Sequence, residues 1–483
     1  MNPEDFSNSP KHSSYDAVVV GSGPNGLAAA IFLAQNGAKV LVIEAKSTPG
    51  GGLRCAEFTL PGFTHDVCAA IHPMGIASPF LKLLDLEGHG LFWTQPTFPV
   101  VQPLDDGRAV VHERSVAATA ARLGADERAY RNLFDRLTED SAKLYASLLG
   151  PLTLPRHPFA MLNFGRHALK SAKQLADQAF QTTEAKALFS GHAAHSVQAL
   201  ESTATAAVGL MLGVSAHSVG WPVARGGTQS IARALISIFR ELDGEIICDA
   251  PITSFNSLPT ANAYLFDTSP KALASICQSQ LPSRYREKLK SYRYGPGVFK
   301  VDWALSESIP WTNEAARDTA CVHVGGTFDE VAQAERECWE GHHSRHPFLI
   351  LAQPTVVDPT RAPEGRHTAW AYCHVPNGST VDMQARIEEQ VERFAPGFRD
   401  CILESHSTNT NEMEHYNANY IGGDVVGGVQ DLGQLYSRPV ARLNPYTTPA
   451  KNIFLCSAST PPGAGVHGMC GYHAAKTALK RLG

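Results

Sequence analysis

A chain of 483 residues, 43% hydrophobic and 18% charged, is long enough for two or three domains at about 150 residues each and shows no compositional sign of disorder. Its formal net charge of −5 argues against a nucleic-acid partner, which would require a concentrated basic surface. Ten cysteines are scattered singly without a CxxC pair, which speaks against a zinc site or dithiol motif; they read as reduced thiols of a cytoplasmic protein, and no metal is expected.

Residues 1–13 are polar, lack the apolar core of a signal peptide and read as a flexible arm. Asp16 to Val20 is then mostly apolar, as expected of a parallel strand buried on both faces. It runs into Gly21-Ser22-Gly23-Pro24-Asn25-Gly26, a GxGxxG turn, and a helix that ends near Asn36-Gly37. Gly21 permits the tight turn, Gly23 lets a pyrophosphate approach the backbone, and Gly26 lets helix and strand pack closely. The helix N-terminus offers amides and partial positive charge to phosphate, and Pro24 in the first turn forfeits nothing the helix needs. A second strand, Lys39 to Ile43, ends at Glu44, whose carboxylate suits ribose hydroxyls and repels a 2′-phosphate. The expected contacts of this part are Gly21, Gly23, Pro24, Asn25, Gly26, Glu44 and Ala45.

A free-standing NAD domain would continue with strand–helix units for about another hundred residues. Here the chain turns instead through Pro49-Gly50-Gly51-Gly52-Leu53-Arg54, where backbone at Gly51 and Gly52 and the cation of Arg54 can meet a buried pyrophosphate or flavin. From Ser115 to His217 the pattern is helical. Leu144 to Phe164 is rich in leucine and phenylalanine, with Arg156, Arg166, Lys170 and Lys173 around it. A bilayer surface would suit such a stretch, which leaves peripheral membrane contact open, but a helical cap packed over the cofactor is the preferred reading. The uncharged stretch Ser202 to Ala224 has an apolar centre too short to span a bilayer and reads as a buried helix.

Phe299 to Ala304, Thr319 to His323, Phe348 to Ala352 and Thr368 to His374 read as strands of a mixed sheet flooring a substrate cavity. Alternation alone leaves open which face carries His323, Trp370, Tyr372 and His374. Asn452 to Cys456 reads as another strand, Ser457 to Gly465 as a small-residue loop, and a final helix is expected from Val466. This second glycine-rich strand-to-helix turn suits a flavin edge, with Ser459, Gly465, Val466, His467 and Met469 as contacts.

Tyr15 to Arg54, Phe63-Thr64-His65-Asp66, Arg225-Gly226-Gly227, Tyr294-Gly295-Pro296-Gly297, Gly422-Gly423-Asp424 and Pro461 to Met469 together resemble the phytoene desaturase-like family of FAD-dependent oxidoreductases. The branch described as pyridine nucleotide-disulphide oxidoreductase-like is the most similar. The resemblance implies an α/β fold with a discontinuous, glutathione reductase-like Rossmann-type FAD-binding domain (14–75, 215–275 and 440–483). The substrate-binding remainder, 76–214 and 276–439, would hold the mixed sheet and helical cap. It also implies that Ile252 and Thr268 line the FAD.

Flavin dehydrogenation requires a substrate C–H near flavin N5 and a route for the accompanying proton. His467, His72 and Asp424 are the acid–base candidates, histidine because its pKa suits proton transfer near neutrality. The leading expectation is dehydrogenation or desaturation of an apolar or polyene-like small molecule. A redox-neutral double-bond isomerase, an amine oxidase and a non-catalytic lipid-binding or escort protein are the alternatives.

Overall fold

The computed structural model describes residues 6–7, 9–152, 154–435 and 437–482. The apolar run at the start forms β1 (Ser14–Val20), with Ala17 to Val20 all buried. It leads into α1 (Pro24–Gln35), which begins on the proline and stops where Gly37 takes φ +82°. Then comes β2 (Val40–Ile43). These strands belong to a five-stranded sheet in the order Ile453–Leu455, Thr260–Phe266, β1, β2, Glu245–Ile247, and every pairing is parallel. One compact sheet is thus woven from strands more than four hundred residues apart. Its strands end together, and in an open parallel sheet that edge is where ligands bind.

The expected flexible arm is not loose where it is described. Phe6 is buried beneath the Arg240 guanidinium, Ser7 pairs with Ile247, and the Lys11 amide donates to Glu245 Oε1 at 2.7 Å. The arm adds hydrogen bonds and an aromatic anchor to the Glu245–Ile247 edge, which would otherwise stand open.

A second, seven-stranded sheet has the order Ile402–Thr408, Gly297–Leu305, His367–Val375, Leu349–Ala352, Cys321–Val324, Val100–Pro103, Ala109–His112. It is mixed: only Cys321–Val324 and Val100–Pro103 run parallel. The register settles the facing question. Lys300, Tyr372, Ile350 and His323 form one row across the sheet. By period-2 alternation Trp370 and His374 share their face. The opposite face, with Val301, Trp303, Val322 and Leu351, packs on Ile387, Val391 and Phe394 of the helix Gln384–Phe394.

Helices cover the polar face. Thr183–Ala194 and Thr205–Ser218 are largely buried, the latter filling the stretch expected as a buried helix. The helix Pro158–Ala168 is split. Ala160, Phe164 and Ala168 face inward, while Phe159 (86% exposed) and Leu162 stand in solvent. The cap reading therefore holds for only one side of that helix.

The last helix spans Met469–Leu482, three residues later than expected. Gly468 has φ +68°, a left-handed conformation that ends any helix begun at Val466, and a Cβ there would lie 2.8 Å from the Cβ of Ala28. Among the described residues, no helix is long and apolar enough to cross a membrane.

Candidate functional site

The edge where the parallel strands end is built from backbone that tolerates no side chain. Gly21 has φ +101°, and its amide donates to the Ile43 carbonyl at 2.8 Å. A Cβ there would meet the Asp267 carbonyl at 2.8 Å, and one on Gly51 would meet the Gly23 Cα at 2.9 Å. The Gly50–Gly52 turn therefore lies directly on the GxGxxG turn, and the Gly50 amide donates to the Ser22 carbonyl at 3.1 Å.

Glu44, at the end of β2, is buried and fully engaged. Its Oε2 accepts from the amide and hydroxyl of Ser22, and its Oε1 from Arg54 Nη2 at 3.1 Å and the Lys46 amide at 3.0 Å. Arg54 also donates to the Thr48 carbonyl and stacks on the Tyr416 ring. Ala45 is exposed just beyond. The Ala250 amide donates to the Glu44 carbonyl at 3.0 Å, which brings the half-buried Ile252 segment beside the acid.

The last helix closes the other side. A Cβ on Gly471 would collide with the Asn25 carbonyl, so the two helix starts touch backbone to backbone. Gly465 and Val466 lead into that contact beside Met74 and Gly75, and the buried Met469 donates its amide to His467 Nδ1 at 3.0 Å. Ser459 is buried, its hydroxyl on the Gly427 carbonyl at 3.0 Å.

The three acid–base candidates differ sharply. His467 uses both ring nitrogens, Nδ1 on the Met469 amide and Nε2 on the Ala464 carbonyl at 3.3 Å, and its own carbonyl accepts from Ser78. Burial lowers its pKa to about 4, so it is a neutral lock on the turn. Asp424 accepts four backbone amides, from Gly295, Val426, Gly427 and Gly428, and organises that loop. His72, also pushed down to about 4 by burial, meets Thr228 Oγ1 through Nε2 at 2.8 Å and keeps Nδ1 without a partner among the described residues. Of the three, His72 alone has a ring nitrogen to spare.

Several residues at this edge escaped the sequence reading. Asp267, directly after the strand Thr260–Phe266, accepts the Gly26 amide on Oδ2 at 2.9 Å. Tyr416 donates to the Gly51 carbonyl at 2.7 Å, and the Tyr420 hydroxyl occupies the space a side chain on Gly52 would need. Arg438 is fully buried, with Nη2 on the Tyr292 hydroxyl at 2.8 Å and with Nε and Nη1 lacking partners among the described residues. The signal available for Asp267 was its position, the first residue past a parallel strand. Tyr416 and Tyr420 carried only an i, i+4 spacing.

A dinucleotide fits this edge. Asn25 Oδ1, Thr268 Oγ1 and Ser457 Oγ are buried polar atoms without partners among the described residues. The first lies in the opening turn of α1 and the others just past two neighbouring strand ends, and such atoms are costly unless something bonds them.

The fold and this edge define a Rossmann-type oxidoreductase. A match to the NAD(P)-binding Rossmann-like domain covers residues 19–85. The chain is 23% identical to the pyridine nucleotide-disulfide oxidoreductase domain-containing protein 2 of Rattus norvegicus, over 97% of this chain and 94% of that one. It is 25% identical to a lycopene-forming phytoene desaturase of Pantoea ananas, over 94% and 96% of the two chains. An oxidoreductase structure from Methanosarcina mazei superposes with a TM-score of 0.65 at 14% identity, covering 96% of this chain and 99% of that one. The similarity to phytoene desaturase-like and pyridine nucleotide-disulphide oxidoreductase-like proteins thus extends along nearly the whole chain.

Proposed function

We propose that the protein is an FAD-dependent dehydrogenase or desaturase of an apolar or polyene-like small molecule. The observation that carries this reading is the double cradle: a GxGxxG turn overlaid by the Gly50–Gly52 turn and met by a second glycine-rich helix start from the far end of the chain. A single Rossmann turn would serve NAD, whereas here a second glycine turn and a second helix start meet the first. FAD bound there supplies a hydride acceptor at flavin N5.

This chain's own residues do the rest. Gly21 to Gly26 would admit the pyrophosphate to the backbone, and the Glu44 carboxylate would hold the ribose by exchanging one of its present donors, Ser22, Lys46 or Arg54, for a ribose hydroxyl. The start of the last helix packs backbone to backbone on the start of α1. His72 is the residue assigned to take up the released proton, because its Nδ1 is unengaged and the imidazole is held neutral. The aromatic pair Trp370 and Tyr372, stacked at 5.9 Å on the sheet's polar face beside Ala70 and Ile71, offers an apolar floor.

The test is spectroscopic. Purified protein should release FAD on denaturation, and its flavin band should bleach anaerobically when a dehydrogenatable apolar substrate is added. Gly23→Val should leave the protein without flavin. A colourless protein with no releasable flavin ends the reading.

We further propose that the exposed side of Pro158–Ala168 docks on an anionic lipid surface. Leu152, Leu154, Phe159, Leu162 and Leu169 are all exposed there, and Arg156, Arg166 and Lys170 lie among them. The sequence from 150 to 176 holds no Asp or Glu, although the whole chain is acidic.

A further inference from the structure

The first turn of α1 has few amides to offer an anion. Pro24 carries no N–H, and the Leu27 amide is spent on the Gly23 carbonyl at 2.9 Å. The Gly26 amide is spent on Asp267 Oδ2 at 2.9 Å. That leaves the Asn25 amide among the helix's opening donors. The same Asp267 oxygen sits 2.7 Å from where a Cβ on Gly23 would be, in the space that glycine keeps clear beside the turn. A carboxylate therefore already occupies the place that the GxGxxG geometry prepares for a phosphate.

Among the described residues, no cation is seen to compensate it. The charged and titratable groups around Asp267 are the Glu44 carboxylate from β2, the Cys456 thiol past the strand Ile453–Leu455, and the Cys470 thiol in the first turn of the last helix; α1 contributes only backbone amides. Arg54, the cation of the adjoining glycine turn, is committed to Glu44. Burial, against the pull of the Gly26 and Gly23 amides and with the push of Glu44, raises the Asp267 pKa to about 7. The two thiols are also pushed upward by burial, Cys470 to about 11, so neither titrates near neutrality.

We propose that Asp267 is an internal anion holding the phosphate cradle, and that a dinucleotide pyrophosphate binds only as Asp267 takes up a proton from solvent. This rests on the FAD reading above and adds how that site is loaded. The balance is simple: one proton enters, the carboxylate becomes a carboxylic acid, and no other bond changes. As a carboxylate Asp267 is an acceptor only, competing with phosphate oxygens for the same amides and repelling their charge. Once protonated it carries an O–H and can donate to the phosphate instead. The sign follows. Below about pH 7 the cradle is neutral and receptive; above it each unit of pH makes the receptive form about tenfold rarer.

The experiment is equilibrium dialysis of the purified flavoprotein against graded FAD from about pH 6 to pH 9, reading protein-bound flavin absorbance. FAD affinity should be level at the acid end and fall by about tenfold per pH unit above 7. Asp267→Asn, which cannot ionise, should bind with no slope across that window. Calorimetry of the wild-type protein in buffers of different ionisation enthalpy should find about one proton taken up per FAD bound at about pH 8. A wild-type affinity flat in pH, a proton count near zero, or an unchanged slope in Asp267→Asn overturns the role of Asp267 while leaving the FAD reading intact. A wild-type protein that binds no FAD at any pH sinks both. If Asp267→Asn fails to fold, the wild-type slope and proton count still decide.

Discussion

Arg361 is 1% exposed, and its guanidinium meets Asp66 Oδ2 at 2.9 Å. Asp66 also accepts the Thr228 amide at 2.8 Å and the Cys55 thiol at 3.2 Å. Burial alone would raise the Asp66 pKa, but Arg361 and the Thr228 amide hold it below the usual carboxylate range. Its contribution to stability is therefore present above the unfolded pKa and is lost as pH falls through the lower folded value. Asp66→Asn would strand a buried cation, and the expected cost is about 3–5 kcal/mol, read as a shift in denaturant midpoint at neutral pH. A change below about 1 kcal/mol would show that the pair holds nothing together. The residue scale also shows what a sequence can and cannot disclose. Glu44 and Arg54 were legible because their chemistry follows the glycine turns directly. That they pair with each other was not, nor was Arg361 as the partner of Asp66 almost three hundred residues earlier, because nothing local encodes either meeting.

Elements were more legible than their neighbours. The strand Leu349–Ala352 announces itself by a short apolar run, and His367–Val375 by β-branched and aromatic residues. The end of α1 follows from Asn36 and Gly37. The last helix starts at Met469, later than the Val466 start its sequence predicts, because Gly468 takes a positive φ where it packs against Ala28 of α1. Pro158–Ala168 was the hardest case, since an amphipathic pattern cannot say whether the apolar side meets protein or lipid. The structure divides it, with Phe164 inside and Phe159 and Leu162 outside. If those two enter a bilayer interface, each contributes about 1.5–3 kcal/mol. Phe159→Ser with Leu162→Ser should then release the protein from vesicles containing phosphatidylserine, and high salt should weaken wild-type binding. Equal co-sedimentation of variant and wild type would remove the helix from any membrane role.

Across the whole molecule, the polar face of the seven-stranded sheet and the helices above it bury an unusual number of imidazoles. His112 lies 3.1 Å from His192 and 2.9 Å from His217, where the Tyr130 hydroxyl joins them, and His195 lies 3.0 Å from His323. Burial lowers the pKa of His192 and His217 to about 4, of His195 to about 3, and of His112 and His323 well below the ordinary value. At the other sheet His72, His467 and His473 are likewise held near 4. The unfolded chain binds protons at these positions at about 6.5, and the folded chain does not until some two units lower. Between those limits unfolding takes up protons, so stability falls as pH drops, by up to about 1.4 kcal/mol per unit for each histidine. Asp267, whose folded pKa is raised to about 7, runs the other way by up to about 1.4 kcal/mol per unit, so across the window from 6.5 to 5 the several imidazoles outweigh one opposing carboxyl. Denaturant midpoints measured at intervals across it should decline steeply, and removing one member, as in His217→Gln, should make the decline shallower. Because sheet strands come from both ends of the chain and the helices between them roof the second sheet, the loss should be a single cooperative transition, with tertiary-packing and helix signals lost together. A stability level from pH 6.5 to 5 would mean that the imidazoles carry their protons inside the fold.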